Sequence, residues 1–459
     1  MKLFFFSALS FFLLIFTGCT PRNAMIKVDT YIAHGSYIDA ARYSDSQIDK
    51  RDKYARNNLL WELQSGSAYL YAKENNISTE HFNTCESLIK HYQEQTLVSD
   101  LSQGVTSTLL NDTTRPYMGT QYDAIMANTY KAINYMAIGD RIGARVEFNR
   151  AIDRQRRAKI YFAQMIHKEQ REIAKKEQKS QKDGKNLRVE DSKIDAIIHN
   201  NYPELYNFKP YPDFINPMTT YLAGIFARAD GDESKAYSLL REAYGMMPDN
   251  NTVLADLQNK TSQPTVWLIY ENGQAPLLHE LRMDFPLWIF TNHLSYISVA
   301  LPHMIRRSLA YNYLTIESDD STFRTKFLAS MDRVIETEFK KTYPSIVRRA
   351  ILSTATKAAI NYAVQESANN SNSNAALLLS IASAIYQISS TQADTRIWST
   401  LPKEFQLARF KQPKNGIVTL KTPNNLTIQK IDLPKSDNIL IYVKIATIGA
   451  KASVSVIPF

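Results

Sequence analysis

Thiols and imidazoles are the side chains best suited to nucleophilic or metal chemistry, and this chain has two cysteines and eight histidines among 459 residues. His81 lies four residues before Cys85 in a segment with helical periodicity, so the two side chains could share a helix face. A cysteine nucleophile needs an oriented base, and no third group that would orient the imidazole is visible. The sequence therefore favours Cys85 as a buried thiol that packs like a small apolar side chain.

Other combinations of catalytic residue types lack the required spacing. His293 and His303 are ten residues apart without a carboxylate or cysteine that would complete a metal site. His279 and Glu280 begin a zinc-protease motif, but the second histidine is missing. The chain also lacks a phosphate-binding glycine loop and a Gly-x-Ser-x-Gly motif. We therefore expect no catalytic residue, no metal and no cofactor, and a protein that is not an enzyme.

At three polar positions the sequence allows a functional role as well as a purely structural one. Arg396, next to Asp394, could bind a carboxylate or phosphate, but it fits better as a helix cap, with Trp398 as an apolar anchor. Glu271 precedes Asn-Gly and suits a turn at a strand end better than an acid catalyst. Asn76, in Glu-Asn-Asn-Ile-Ser, matches an acidic glycosylation signal that would be used only if the host has the enzyme.

The second cysteine, Cys19, follows a secretory signal. Met-Lys precedes an apolar run at residues 3–16, which is too short to span a bilayer but long enough for a signal peptide. Phe-Thr-Gly-Cys, ending at Cys19, resembles the bacterial lipobox, with phenylalanine where leucine is usual. The resemblance implies cleavage after residue 18 and acylation of Cys19, and the absence of aspartate at Thr20 implies the outer membrane. The alternative is a secreted protein in which Cys19 has no role.

Composition limits the partners. An acylated Cys19 would leave Cys85 as the single free thiol, so no intramolecular disulfide could form and stability would depend on packing. The net charge of +9 suggests anionic neighbours in the envelope, such as a polymer or an acidic protein, and we expect no nucleic-acid partner. Only 14 glycines in 459 residues favour helices over a glycine-rich β fold.

Two stretches, Ala127–Ile152 and Thr219–Pro248, repeat one pattern of small and aromatic residues. Small residues let two helices cross closely, Gly-Asp reverses the chain, and a larger side chain fills the space beneath. The residues that we assign to this packing are Ala132, Tyr135, Gly139, Ala144, Phe148 and Ala151 in the first stretch, and Gly224, Ala227, Gly231, Ala236, Leu240, Ala243 and Pro248 in the second.

This spacing resembles the tetratricopeptide repeat, and looser copies occur around Gly35 and Gly66. The first stretch has Arg156 at the final proline position, and the second has Ala227 where tyrosine is usual. An irregular helical bundle would use the same small residues. The resemblance implies a concave face that binds a protein partner or is filled by the chain's own neighbouring segment. Its residues would be Met126, Thr129, Ile133, Met136, Met218, Tyr221, Ile225 and Arg228.

The predicted fold class is α+β: a helical-hairpin array at residues 19–263, then a mixed domain at residues 264–459 with a small, mostly antiparallel sheet. Residues 154–193 read as a basic helix and a charged connector, which is either solvated or an arm for an anionic partner. Residues 200–217, rich in Tyr and Pro, read as an extended segment that packs on the repeats or forms a binding lip. Strands are expected at residues 265–273 and 279–290 and over the last 45 or so residues, with helices from about Ser298 to Ser390, including a buried one at Asn374–Ile388.

Three strings in the second half, WLIYENGQAP, SVALP and ADTRIWSTLPKEFQLARF, are similar to those of a group of bacterial lipoproteins with tetratricopeptide-like N-terminal halves. The resemblance implies an envelope role and supplies no catalytic residue. Our first hypothesis is a lipid-anchored periplasmic scaffold that docks a protein partner at the outer membrane. The alternatives are a binder or enzyme of envelope polysaccharide, with its site in the C-terminal half, and a surface-exposed adhesin.

Overall fold

The computed structural model describes residues 21–98, 115–182, 191–211, 214–258, 263–286, 296–369 and 392–459. The first part of the chain is helical, and its helices pair as antiparallel hairpins. Their bounds are α1 Pro21–Ala33, α2 Tyr37–Ser46, α3 Asn58–Tyr71, α4 Asn75–Val98, α5 Gln121–Ala137, α6 Arg141–Lys182, α7 Asp191–Asn201, α8 Pro217–Ala229, α9 Glu233–Met246 and α10 Asn251–Gln258.

The two hairpins predicted from the sequence are α5–α6 and α8–α9. Gly139 and Gly231 reverse the chain with φ of 80° and 85°, a region that glycine enters without steric cost. Asp232 then accepts a hydrogen bond from the backbone N–H of Lys235 and caps the start of α9. Pro248 lies two residues beyond the end of α9, as predicted. The helical-hairpin fold is therefore confirmed.

Small residues let the helices of these two hairpins, and those of the α3–α4 hairpin, approach closely. A Cβ added to Gly224 would lie 2.9 Å from Cγ of Leu240, and one added to Gly66 would lie 2.8 Å from the Phe82 ring. Ala132 and Ala144 have no exposed surface. The glycines and alanines therefore act as the sequence analysis predicts, by removing bulk at helix crossings.

The second part of the chain holds three sheets and one long helix, α11, at Met331–Asn369. The five-stranded sheet has the order β11-β10-β1-β7-β6, β2 and β3 form an antiparallel hairpin, and a four-stranded sheet has the order β5-β4-β8-β9. The strands are β1 Thr265–Asn272, β2 Leu277–Pro286, β3 Tyr296–Ile305, β4 Thr315–Ser318, β5 Ser321–Arg324, β6 Lys326–Ser330, β7 Glu404–Lys411, β8 Ile417–Lys421, β9 Thr427–Asp432, β10 Asn438–Ile445 and β11 Ser453–Pro458.

Strand β1 is buried along its whole length because both faces of its sheet are covered. Trp267 and Ile269 belong to the core formed with the N-terminal helices, whereas Val266 and Leu268 face the four-stranded sheet. β1 pairs in parallel with β10 and antiparallel with β7. The α+β class with a mostly antiparallel sheet is confirmed, and the helices share one apolar core with this sheet.

Three expectations about local structure need correction or restriction. Helix was predicted from about Ser298, but residues 296–330 contain strands β3 to β6, because the apolar residues of β3 are covered by pairing with β2 and by α11. Strand β7 was not predicted. The Tyr- and Pro-rich segment packs on the core through residues such as Tyr202 and Phe208, and it includes a short 3₁₀ turn at Pro203–Asn207. The predicted helix at Asn374–Ile388 lies outside the described residues.

Candidate functional site

The predicted concave face is filled by the chain itself. Thr129 forms a 2.9 Å hydroxyl contact with Thr219, and Asn216 directs its amide at the sulfur of Met126. Tyr221 donates a 2.5 Å hydrogen bond to Asp256. Seven of the eight predicted residues are buried: Met126, Thr129, Ile133, Met136, Met218, Tyr221 and Ile225. The hairpins pack this face against one another and the second half of the chain, so a partner cannot reach it in this conformation.

Arg228, the eighth residue of that face, is engaged within the chain. Its guanidinium donates to the backbone carbonyl of Asp256 and lies 3.2 Å from a carboxylate oxygen of Glu233. The carboxylate of Asp256 in turn accepts from the indole of Trp267 at 3.2 Å and pairs with Arg409 at 2.7 Å. These contacts fasten α8 to α10 and the sheet.

The positive charge of the chain is concentrated on α6. From Arg150 to Lys182 the sequence has eleven basic and four acidic residues, a net charge of +7 compared with +9 for the whole chain. At 1.5 Å per residue, the 42 residues of α6 span about 63 Å. This helix is therefore the main source of positive potential for an approaching partner.

The outer face of α6, which we define as Ile142, Arg145, Val146, Asn149, Arg156 and Ile160, carries two arginines beside three apolar side chains. Ile142 is 72%, Ile160 63% and Val146 40% exposed. Arg156 is exposed, and no acidic side chain of the described residues forms an ion pair with it. Ile142 and Val146 lie one helical turn apart with Arg145 between them, so together they offer a small apolar patch bordered by a cation.

A recess adjoins this face where α6 meets the α8–α9 hairpin. The rings of Phe148 and Phe226, 5.2 Å apart, and the methyl groups of Ala223 and Ala227 form its apolar floor. Its volume is 340 Å³. The polar part of its wall consists of Arg145, Asp230, Asp232 and Lys235, with the glycine turn at Gly231. We call this cavity the recess.

The ammonium of Lys235 lies on the outer face of α6, where it donates to the side-chain carbonyl of Asn149. Partial burial and the nearby charges of Arg156 and Arg145 lower the pKa of Lys235, although Asp232 opposes this shift. Lys235 and Arg156 therefore lie near each other beside the recess, whereas Arg145 is neutralised by Asp230, and an anionic group would relieve the repulsion between the first two.

Glu271, considered above as an acid catalyst, lies instead in a closed polar cluster. Tyr130 donates a 2.8 Å hydrogen bond to its carboxylate, Tyr442 also donates to it, and the Lys444 ammonium is 3.8 Å away. Lys444 donates to the carbonyl of Gly273 at 2.8 Å, and burial lowers the pKa of Lys444 to about 8. All four charged or phenolic side chains are buried, so the cluster ties α5 to β1 and β10.

The segment that contains Arg396 and Trp398 joins the two parts of the molecule. Arg396 pairs with Asp394 at 2.6 Å and donates to the carbonyl of Arg115 at 2.9 Å. Trp398 is buried and donates from its indole nitrogen to Ser67 at 3.1 Å. Arg396 is therefore held by the chain, and Trp398 is the anchor that the sequence predicted.

Cys85 and the histidines show no reactive arrangement within the described residues. His81 bonds to Glu62 at 2.6 Å rather than to Cys85, and burial raises the pKa of the Cys85 thiol well above its usual value. His279 and His303 are directly opposite each other on β2 and β3, a pairing not foreseen from the sequence. No group of three metal-binding side chains occurs in the described ranges.

Three residues named in the sequence analysis remain: Cys19, His293 and Asn76. Cys19 and His293 lie outside the described residues. Asn76 is exposed at the second position of α4, whereas the hydroxyl of Ser78 is buried and donates to the carbonyl of Gly66 at 2.7 Å. Across the described ranges, the helices are all too short or too polar to cross a membrane.

Comparison with known proteins adds little to this geometry. No protein-family model matches the chain, and no curated protein sequence matches it either. Among solved structures, the chain is similar to a tetratricopeptide repeat protein from Parabacteroides merdae ATCC 43184, with 10% sequence identity over 52% of this chain and 97% of that one. The TM-score is 0.14, which is too low for an argument about fold or function.

Proposed function

We propose that this protein is a lipid-anchored scaffold of the bacterial envelope that docks an acidic protein partner on the outer face of α6. In this proposal it is a tetratricopeptide-like outer-membrane lipoprotein, acylated at Cys19, with its body in the periplasm and no reaction of its own. The observation that carries the proposal is the combination of exposed aliphatic side chains on one long helix and a net charge of +7 over its residues 150–182.

The apolar residues favour a protein over a charged polymer as the partner. Ile142, Val146 and Ile160 would stay in water against a sugar-phosphate chain, whereas an acidic protein surface with apolar side chains would cover them. The arginines would guide association and the aliphatic residues would contribute most of the buried area. The anchor would keep the scaffold at the membrane because each buried methylene of an acyl chain adds about 0.8 kcal/mol.

The test uses a Cys19→Ala form without an acyl chain, mixed with envelope extract and recovered by affinity. We expect one acidic protein in stoichiometric amount, lost in the double variant Ile142→Ser and Arg156→Glu. The matched control is Ile448→Ser with Lys430→Glu, because these residues are also exposed but lie in the C-terminal half. Equal recovery by both variants would contradict the docking surface, and binding to purified cell-wall polymer alone would favour the polysaccharide alternative.

The anchor is tested separately by mass spectrometry of the mature N-terminal peptide from membranes. We expect a peptide that begins at Cys19 and carries acyl chains. An unmodified peptide, or a chain released into the culture fluid, would contradict the anchor.

A further inference from the structure

The two hairpins differ at one pair of positions, and the difference leaves a cavity in the second. In the first hairpin the Tyr135 ring lies over Gly143, where an added Cβ would be 2.7 Å from the ring. The corresponding residues of the second hairpin are Ala227 and Lys235, eight residues apart in the same way. An alanine methyl cannot fill the space that the tyrosine ring fills. The recess, with its 340 Å³, lies at this place.

The floor of the recess is apolar, so it would accept an apolar side chain. Phe148 and Phe226 are almost fully buried, yet both line the cavity, and Ala223 and Ala227 complete the floor. A phenylalanine or leucine side chain inserted here would exchange water for these ring and methyl contacts. Such a buried aromatic or aliphatic anchor is the usual energetic centre of a protein interface.

The wall of the recess holds two cations, Arg145 and Lys235, and two carboxylates, Asp230 and Asp232, and both carboxylates already have partners within the chain. Asp230 is already paired with Arg145 and Arg141, at 2.5 and 3.3 Å. Asp232 is engaged as the cap of α9. Lys235 bonds to a neutral amide.

Two further acidic side chains of α6 and α9 are also paired. Glu233 faces Arg228, and Asp153 pairs with Arg157. Arg156 and Lys235 therefore remain as cations without a carboxylate partner among the described residues. The charge balance at the recess favours an anionic group beside the apolar one.

We propose that the recess binds a large apolar side chain flanked by carboxylates, presented by an acidic segment of the protein partner. The proposal rests on the docking function given above and names the chemistry of the segment that would be recognised. The apolar side chain occupies the cavity that Ala227 leaves open. The flanking carboxylates pair with Lys235 and Arg156.

Peptide binding to the Cys19→Ala form tests this directly. The probe is the fluorescent peptide DDFDD, with DDADD and KKFKK as controls, measured by anisotropy at low salt. We expect DDFDD to bind about tenfold more tightly than DDADD, because the phenylalanine ring would be buried in the cavity and an alanine methyl would leave it unfilled; tenfold corresponds to about 1.4 kcal/mol. Equal binding of DDFDD and DDADD would overturn the proposal that the recess binds an apolar side chain. Equal binding of DDFDD and KKFKK would overturn the proposal that the flanking groups must be carboxylates.

Two variants locate the site. Ala227→Tyr places in the second hairpin the residue that fills the first, and we expect it to reduce DDFDD binding to the level of DDADD. Lys235→Glu leaves the cavity open and should reverse the preference, so that KKFKK binds more tightly than DDFDD. Unchanged DDFDD binding by Lys235→Glu, or by an Ala227→Tyr protein with normal circular dichroism and melting, would overturn the proposal.

The proposal for the recess and the proposal for the wider docking surface can be contradicted independently of each other. If Ala227→Tyr still recovers the envelope partner in full while the Ile142→Ser and Arg156→Glu variant loses it, the recess is not the recognition site but the scaffold stands. If no partner is recovered by any form while DDFDD binds as expected, the recess stands as a peptide site and the scaffold proposal fails.

Discussion

Gly224 and Gly245 form a matched pair that tests how closely the hairpin helices cross. Both lie in helices, α8 and α9, so replacement by alanine should add up to about 1 kcal/mol of helix propensity at each. The surroundings differ: a Cβ on Gly245 would meet nothing within 4 Å, whereas one on Gly224 would lie 2.9 Å from Cγ and 3.0 Å from Cδ2 of Leu240. Contacts this short force the helices apart, and overpacking of this kind costs about 1–3 kcal/mol.

Helix propensity and overpacking together predict changes of opposite sign in the free energy of unfolding for the two variants. Gly245→Ala should raise the free energy of unfolding by about 0.5 kcal/mol, near the low end because the site is close to the end of α9. Gly224→Ala should lower it by up to about 2 kcal/mol, the overpacking cost of about 1–3 kcal/mol minus the propensity gain of about 1 kcal/mol.

The assay is urea unfolding followed by circular dichroism, with both variants compared with the parent protein. The midpoint should rise slightly for Gly245→Ala and fall for Gly224→Ala. A Gly224→Ala protein at least as stable as Gly245→Ala would refute the close crossing and the role assigned to the small residues.

The remaining predictions concern buried polar groups and the thiol. Burial raises the pKa of Glu338 from 4.5 to about 8, so the folded state keeps a proton that the unfolded state releases. Stability should therefore fall as pH rises from about 4.5 to 8, and Glu338→Gln, which can still accept from the backbone N–H of Gln121, should flatten this slope in urea midpoints. Trp398→Phe removes the indole N–H that donates to the hydroxyls of Ser67 and Thr400 and leaves a smaller ring in a fully buried site, so it should cost about 1–3 kcal/mol in the same assay; a loss below about 0.5 kcal/mol would contradict the anchor role. Cys85 should react with a thiol reagent only after unfolding, and rapid labelling of the native protein would contradict its burial.

The local features of the hairpins could be predicted because each depends on residues close in sequence. Gly139 and Gly231 mark turns by backbone freedom alone, and Gly224 marks a crossing by the absence of a side chain. The strands of the last 45 residues were also predicted, since β-branched runs between turns indicate them without knowledge of their partners.

Features that depend on distant pairing could not be predicted. β1 pairs with β10, more than 160 residues later, and β3 is a strand only because β2 and α11 cover it. The concave face failed as a site for the same reason: its residues are apolar whether they face a partner or the chain itself, and burial against Thr219 and Asp256 decides between the two. Charged groups such as Glu271 and Lys444 gave no sign that they would be buried together.

The candidate site could have been found in part from the sequence. Ile142, Val146 and Ile160 lie on one helical face, outside the set of small residues used for hairpin packing, and basic residues surround them. The recess could not have been found in that way, because it depends on the approach of α6 to α8 and α9. The sequence showed that Ala227 stands where the repeat usually has tyrosine. Only the structure showed that a cavity lies at this position.

Site-specific photocrosslinking in intact cells is the most direct test of a scaffold that docks its partner on α6. A photoreactive amino acid is placed at Ile142, which is 72% exposed, and at Ile448, a control that is 75% exposed in the C-terminal half. We expect position 142 to form an adduct with one acidic envelope protein and position 448 not to form it. No adduct at 142, or the same adduct at both positions, would contradict the docking proposal.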